Sequence, residues 1–207
     1  MNQPQLGRTS IFAITVMLIF SASILAQGSQ QQPQVEPSYN ISLQLIIGSN
    51  DAQMRGDLPS ELNNVSRQLK SSFTFSNYRL ASTFLGRISN TGNFEYKSTS
   101  NIFGQESSSA TQSFIEWSAI NFRSMPNAAG QTGFQTQSFR FGARVPVLIA
   151  ERKDEGGKVQ PVYNYEQIGL NISKVGLSQN TPTLIGTLNL PGTSGTIFLV
   201  MTVRSAD

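Results

Sequence analysis

Apolar and polar side chains alternate along most of this chain, with the two-residue period of a β-strand. The alternation is clearest in residues 39–47, 139–149 and 197–203. A strand with this pattern buries one face and keeps the other polar, which is typical of antiparallel sheets. The sequence therefore predicts a protein dominated by antiparallel β-sheet.

A single segment has the spacing of an amphipathic helix. Five apolar residues at steps of four, three, four and four share one helix face: Leu58, Leu62, Val65, Leu69 and Phe73. Asp57 is expected to cap the first turn and Pro59 to begin it. Because an isolated helix of this length is marginal in water, we expect this helix to dock on the sheet.

The segments after the helix are all predicted to be strands, turns or loops. Tyr78, Leu80, Phe84 and Ile88 are expected on one face of a long strand. A turn at residues 90–93 leads to a return strand that begins at Phe94. Loops are predicted at 101–113 and 125–137, a short strand at 114–123, and a last hairpin that joins 184–190 to 196–204.

A second hairpin is predicted from two alternating runs on either side of a charged turn. Residues 139–149 and 163–175 should be antiparallel neighbours across the tip at 151–158. Three side chains of the second run should be largely buried beside Val145 and Val147: Ile168, Leu170 and Ile172. Arg144 and Asn171 should point away from that core.

The fold class that follows is α+β. One amphipathic helix lies in an N-terminal βαββ unit, residues 39–101, and mainly antiparallel hairpins follow in an antiparallel β region, residues 102–207. Before them, residues 27–38 are rich in Gln and Pro and predict a disordered linker.

The first 26 residues predict export. Arg8 is followed by an apolar run, residues 11–20, and by a small-residue segment that ends at Ala26. This order is typical of a Sec-type secretory signal peptide, and the apolar stretch is short for a spanning helix. Cleavage after Ala26 is expected, with an uncleaved anchor as the alternative, and the protein is predicted to be periplasmic or otherwise exported.

Composition excludes several classes of function. The chain has no Cys and no His, which removes Ser-His-Asp and Cys-His nucleophile systems and the usual zinc sites. After removal of Arg8 with the leader, 14 basic residues face 12 acidic ones, too small an excess to predict nucleic-acid binding. No cofactor and no metal are predicted.

Chemistry by carboxylates alone remains open at the level of sequence, since paired Asp and Glu can hydrolyse glycosides. The candidates besides the charged turn are Asp51, Asp57, Glu61, Glu95, Glu106, Glu116 and Glu166. Most stand among polar residues at turns or on alternating strands, where a carboxylate is usually exposed to solvent and has no catalytic role. We therefore predict a non-enzymatic protein.

Two stretches together resemble secretins, the ring-forming channels of bacterial secretion systems and pilus machines. Strand–helix–strand–strand order over 40–101 looks like the small modules that precede a secretin channel. A Gly-x-x-hydrophobic-Pro segment then precedes a Tyr-x-x-hydrophobic-Gly-hydrophobic-x-hydrophobic strand, as in the secretin core. The matching residues are Gly142, Val145, Pro146, Tyr165, Ile168, Gly169, Leu170 and Ile172.

The resemblance implies a secretin-derived or secretin-associated protein of the cell envelope, with protein partners, and leaves self-association and outer-membrane association open. One departure from the family pattern is Gly176, where a secretin strand usually continues into a Pro. An unrelated β protein with ordinary turns is the plain alternative. A third hypothesis is an exported carbohydrate- or surface-binding β module that uses Trp117, Tyr163 and Tyr165.

Overall fold

The structure is a computed structural model, and it describes residues 36–52, 56–103, 112–126, 130–191 and 195–206. The predicted signal peptide and residues 27–35 of the predicted linker lie outside this range. Glu36–Asp207 forms one compact unit. Its first strand begins at Ser38, one residue before the predicted start of order.

The described residues contain one helical segment and eight strands. A 3₁₀ turn at Ser60–Leu62 leads into α1, Asn63–Ser72. The strands are β1 (Ser38–Ser49), β2 (Asn77–Ser89), β3 (Phe94–Ser100), β4 (Ser113–Pro126), β5 (Thr132–Lys153), β6 (Val159–Ser178), β7 (Thr183–Asn189) and β8 (Thr196–Ser205). The predicted α+β class is confirmed.

The strands form two four-stranded sheets. Sheet A has the order β2-β1-β8-β7, sheet B has the order β3-β4-β5-β6, and every neighbouring pair is antiparallel. The predicted last hairpin is therefore confirmed as β7–β8. Each sheet combines strands from residues 39–101 with strands from residues 102–207, because β1 pairs with β8 in sheet A and β3 pairs with β4 in sheet B.

The main core lies between the two sheets. Sheet A contributes alternate residues of β1 and β8, such as Leu43 and Met201, and sheet B contributes Trp117, Phe139 and Phe141. Each of these side chains is fully buried. Burial of an apolar side chain of this size contributes roughly 1.5–3 kcal/mol, so this layer dominates the stability of the unit.

The helix packs on the opposite face of sheet A, as predicted. Leu62, Val65 and Leu69 are buried against Ile46 of β1 and Phe198 of β8. Leu58 and Phe73 are partly buried at the same contact.

The predicted helix cap is wrong. The residue before the first turn is Pro59, and no side chain makes a capping hydrogen bond there. Asp57 lies two residues further upstream, and a capping oxygen acts from the residue next to the first turn.

The prediction that four apolar residues share one face of β2 is also wrong. Leu45 pairs with Ser82 and Ile46 with Leu80, so Ala81 is an extra residue in β2. This β-bulge reverses the side-chain directions along the strand. Tyr78 and Leu80 consequently pack with the helix, whereas Phe84 and Ile88 belong to the core between the sheets.

Strand β3 does not return along β2 as expected; it pairs with β4 in the other sheet. The pairing of β4 with β3 ends at Ala119 of β4. Beyond Ala119, the edge of β4 is covered by the turn between β2 and β3. Backbone N–H groups of β4 donate to this turn: Phe122 to the Gly92 carbonyl (2.9 Å) and Ser124 to Asn90 Oδ1 (2.8 Å). An exposed strand edge is thus closed by a turn.

Sheet B changes side-chain direction along one line across three strands. One residue in each of β4, β5 and β6 has no paired residue on the neighbouring strand: Asn121, Gln137 and Lys174. Two of them have a positive φ, 51° at Asn121 and 58° at Lys174. The buried hydroxyl of Thr136 donates to the carbonyl oxygen of Ile120 at 2.7 Å. Because the strands continue through this line, the predicted loop at 125–137 is wrong for residues 132–137, which begin β5.

Candidate interaction surfaces

The residues that carry the secretin resemblance lie together on the β5–β6 hairpin. Gly142 is paired with Gly169 and Pro146 with Tyr165, and the pairing continues to Lys153 and Val159 at the tip. The predicted antiparallel hairpin is confirmed. Arg144 and Asn171 are exposed, also as predicted.

The burial predicted for this hairpin is only partly right. Val145 is buried, but Ile168, Leu170 and Ile172 are half-buried, and so is Val147. The reason is position in the sheet. β6 is an edge strand with a neighbour on one side only, and Val147 lies beyond the last residue of β5 that pairs with β4, Arg144.

Gly169 lies where a side chain does not fit. An added Cβ would stand 2.7 Å from the carbonyl oxygen of Phe141, a backbone atom that cannot move independently. Gly142 is more tolerant, because its nearest neighbour would be the flexible side chain of Glu116 at 3.2 Å. The glycine pair thus allows a close strand contact and leaves two adjacent outer positions of sheet B without a side chain of their own, with the Glu116 side chain lying against Gly142.

The tip half of the hairpin forms an exposed ribbon, here called the arm: residues 148–153 of β5 and 159–163 of β6. Its residues pair only with one another among the strands that the structure describes. Large apolar side chains are exposed along it: Leu148, Ile149, Val159 and Val162. Exposed apolar side chains concentrated on one element are typical of an interaction surface.

A trough crosses the outer face of sheet B over the glycine pair. It consists of two adjoining cavities of about 400 and 330 Å³ that share Glu116, Gly142 and Gln167. Arg144 lines the first cavity and Arg140 the second. Lys97 lies at the β3 side and bonds to Glu95 at 2.9 Å, a contact that raises the pKa of Lys97.

The aromatic residues proposed for ligand binding are not all available. Trp117 is 1% exposed and packs against Phe94 in the core, so its predicted role in binding is wrong. Tyr163 is half-buried, and Tyr165 is 43% exposed. Phe114, which the sequence reasoning overlooked, is 51% exposed with its ring 6.1 Å from that of Tyr165. The two-residue alternation of β4 predicts its exposure, since Ile115 and Trp117 point inward and Phe114 must then point outward.

Several of the candidate acids have ordinary surface surroundings. Glu61 bonds to Arg204 at 2.8 Å, Glu95 bonds to Lys97, and both pairs are exposed. Glu116 lies in the trough, and Glu106 falls outside the described residues. No group of three or more metal-ligating side chains occurs within the described ranges.

Comparison with known proteins gives a distant likeness only. No protein-family model and no curated protein matches the sequence. The InvG secretin domain β-barrel of the Salmonella SPI-1 injectisome has a TM-score of 0.33 and 10% identity, over 97% of this chain and 69% of that chain. InvG in a second structure, of the type III secretion injectisome secretin, has a TM-score of 0.26 and 10% identity, over 97% and 71%.

A third solved structure contains the basal body proteins InvG, PrgH and PrgK of the same injectisome. Its TM-score is 0.26 at 10% identity, over 97% of this chain and 50% of that chain. The fold described here rests on the strand pairing of this chain itself: an α+β unit of two antiparallel sheets and one docked helix. No helix among the described residues is long and apolar enough to cross a membrane.

Proposed function

We propose that this protein is an exported, non-enzymatic structural component, related to or associated with a secretin-type secretion or pilus assembly. It acts by docking the β5–β6 arm on a protein partner in the cell envelope. The observation that carries the proposal is the arm, which exposes aliphatic side chains on an element that extends beyond the paired body of sheet B.

The physical reason is that such a ribbon is weak by itself. A two-stranded hairpin is at best marginally stable in water, and exposed apolar side chains add nothing to its stability. Ile149 is 61% exposed, and Leu148 is exposed beside it. A partner that covers these side chains would stabilise the arm and gain binding energy from the same burial.

The backbone of the arm supports the same proposal. Past Arg144, β5 pairs with β6 alone, and its opposite edge has no partner strand among the residues that the structure describes. Such an edge is a template for a strand from another chain. Apolar side chains and an open edge on one element together favour docking by strand addition.

The secretin resemblance is consistent with this position. Its glycine pair and the Pro146–Tyr165 pair lie at the base of the arm, in one hairpin rather than in separate parts of the fold. The resemblance therefore lies in the same hairpin as the arm, directly next to the segment whose exposure requires an explanation.

Site-specific photocrosslinking tests the proposal in the cells that express the full chain. A photoreactive residue at Ile149 should give an adduct that mass spectrometry identifies as a subunit of an envelope secretion or pilus complex. The same residue at Leu85, which is 74% exposed on sheet A, is the matched control. Equal adducts at both positions, or none at Ile149, would contradict the proposal.

Export is tested separately. N-terminal sequencing of protein from the cell envelope or medium should begin near Gln27, because Ala26 ends the predicted signal peptide. Retention of Met1 would favour the membrane-anchor alternative.

A further inference from the structure

We propose that the trough on the outer face of sheet B binds an oligosaccharide that carries carboxylate groups. This site is distinct from the arm, and the inference does not depend on the proposed docking function. It rests on the shape of the trough, the charges along it and the pair of aromatic rings beside it.

The shape comes from the two glycines. Gly142 and Gly169 are directly paired in neighbouring strands, so two adjacent positions on the outer face carry no side chain. The surrounding positions do carry them, and the result is a depression over the glycine pair, with the Glu116 side chain lying against Gly142. Its two cavities together are large enough for a small number of sugar rings.

The charge of the trough favours an anionic ligand. Arg140 and Arg144 line it against the carboxylate of Glu116, and the third cation of the lining, Lys97, is already paired with Glu95. Neither arginine has a carboxylate within ion-pair distance in the described part of the chain. A guanidinium presents paired N–H donors that match a carboxylate, so the two exposed arginines suit acidic groups spaced along an extended ligand.

The aromatic pair favours sugar rings. Phe114 lines the trough, and its ring lies 6.1 Å from that of Tyr165. Both side chains are about half exposed, which leaves ring surface for the apolar face of a pyranose. The amides of Gln167 and Asn171 supply donors and acceptors for hydroxyl groups.

An acidic peptide fits the trough less well. The middle of the trough lies over β4 and β5, inner strands of sheet B that each pair on both sides, and the edge strands β3 and β6 present their free backbone groups sideways in the plane of the sheet rather than into the trough. A peptide laid in the trough would find no free backbone groups, and strand addition requires an open edge. A saccharide needs only side-chain donors and ring surface, which the trough provides.

Isothermal titration calorimetry of the full mature chain with tetragalacturonate tests the inference. We expect binding that weakens as salt is added and that is at least about tenfold tighter than binding of maltotetraose, a neutral sugar of the same length. Pentaglutamate, which carries similar charge on a peptide, should bind more weakly than tetragalacturonate. Absence of binding, or equal binding of maltotetraose or pentaglutamate, would overturn the proposal.

Substitutions locate the site. The double variant Arg140→Ala/Arg144→Ala should weaken tetragalacturonate binding by about tenfold or more, and Phe114→Ala by about threefold. Arg87→Ala and Leu85→Ala remove comparable exposed side chains from sheet A and should leave binding unchanged. Equal losses in these controls would assign the binding to general charge. All five positions are exposed, so each variant should remain folded.

Discussion

The hydroxyl of Tyr78 donates to the carbonyl oxygen of Leu69 at 3.1 Å, and the carbonyl of Phe73 lies 3.3 Å from the same hydroxyl. Tyr78 belongs to β2, and Leu69 lies in the last turns of α1, where its carbonyl oxygen also accepts the backbone N–H of Phe73 at 2.9 Å. One side chain of sheet A therefore completes the C-terminal end of the helix that packs on it.

Replacement of Tyr78 by Phe should lower the free energy of unfolding by about 0.5–1.5 kcal/mol at neutral pH, because helix carbonyls lose a buried donor. Urea titration measures this difference. The control is Tyr163→Phe, which removes the hydroxyl of a half-buried tyrosine in β6, far from the helix, and should cost little.

The same variant should change the response to alkali. Burial raises the pKa of Tyr78 above its ordinary value of 10.0, so the folded state retains the phenolic proton more tightly than the unfolded chain. This contribution to stability is present below pH 10 and is lost as pH rises through the folded-state pKa. Unfolding measured from pH 8 to pH 12 should therefore show a smaller alkaline decrease for Tyr78→Phe than for the natural protein. Identical decreases would mean that Tyr78 does not contribute.

Helix docking can be tested with two neighbouring residues of opposite exposure. Leu69→Ala should cost about 2–5 kcal/mol, because it leaves a cavity against Phe198 and its neighbours. Arg67→Ala, on the exposed side of the same helix, should cost under about 0.5 kcal/mol. Equal losses in denaturant titration would show that the helix does not pack through the Leu69 face.

Two glycines of β6 give a matched test of the close strand contact. Gly169→Ala should destabilise the protein by about 1–3 kcal/mol, because the new Cβ meets the Phe141 carbonyl. Gly176→Ala places its Cβ in open space and should change stability by less than about 0.5 kcal/mol. Thermal unfolding of both variants decides the point, and a more stable Gly169→Ala protein would refute the contact.

The closed edge of β4 predicts a local effect. Asn90→Ala removes the acceptor of the Ser124 N–H and should cost about 0.5–1.5 kcal/mol. Amide exchange of Ser124 followed by NMR should become faster, while exchange in β8 should follow only the change in global stability. Asn164→Ala, at an exposed position of β6 next to the arm, is the control. Unchanged exchange at Ser124 would mean that the turn does not protect this edge.

Several features of the fold follow from the local pattern of residues. Alternation identified the β5–β6 and β7–β8 hairpins, since two complementary strands joined by a short turn meet by proximity. The three-to-four-residue spacing of Leu62, Val65 and Leu69 identified the helix and its buried face. The exposed positions of Arg144 and Asn171 followed from the same periodicity.

The candidate surfaces were only partly accessible to this reasoning. The secretin resemblance selected Gly142 and Gly169, and the structure places them in direct register. It did not indicate the arginines and Phe114 around them, because these residues come from two strands, β5 and β4, whose register the sequence does not give. Trp117 looked available for binding because β4 was read as a short, uncertain strand, and its burial depends on sheet A covering it.

The sequence by itself determined the strands, the single helix and which residues alternate, because these depend on neighbours within a few positions. Tertiary structure decided the sheet to which β3 belongs and the edge position of β6, which leaves Ile168 and Leu170 half-buried. It also decided where side chains change from one face of a sheet to the other, at Ala81 in sheet A and at Asn121, Gln137 and Lys174 in sheet B. A single irregular residue reverses every side chain beyond it, and its place is set by contacts with distant strands.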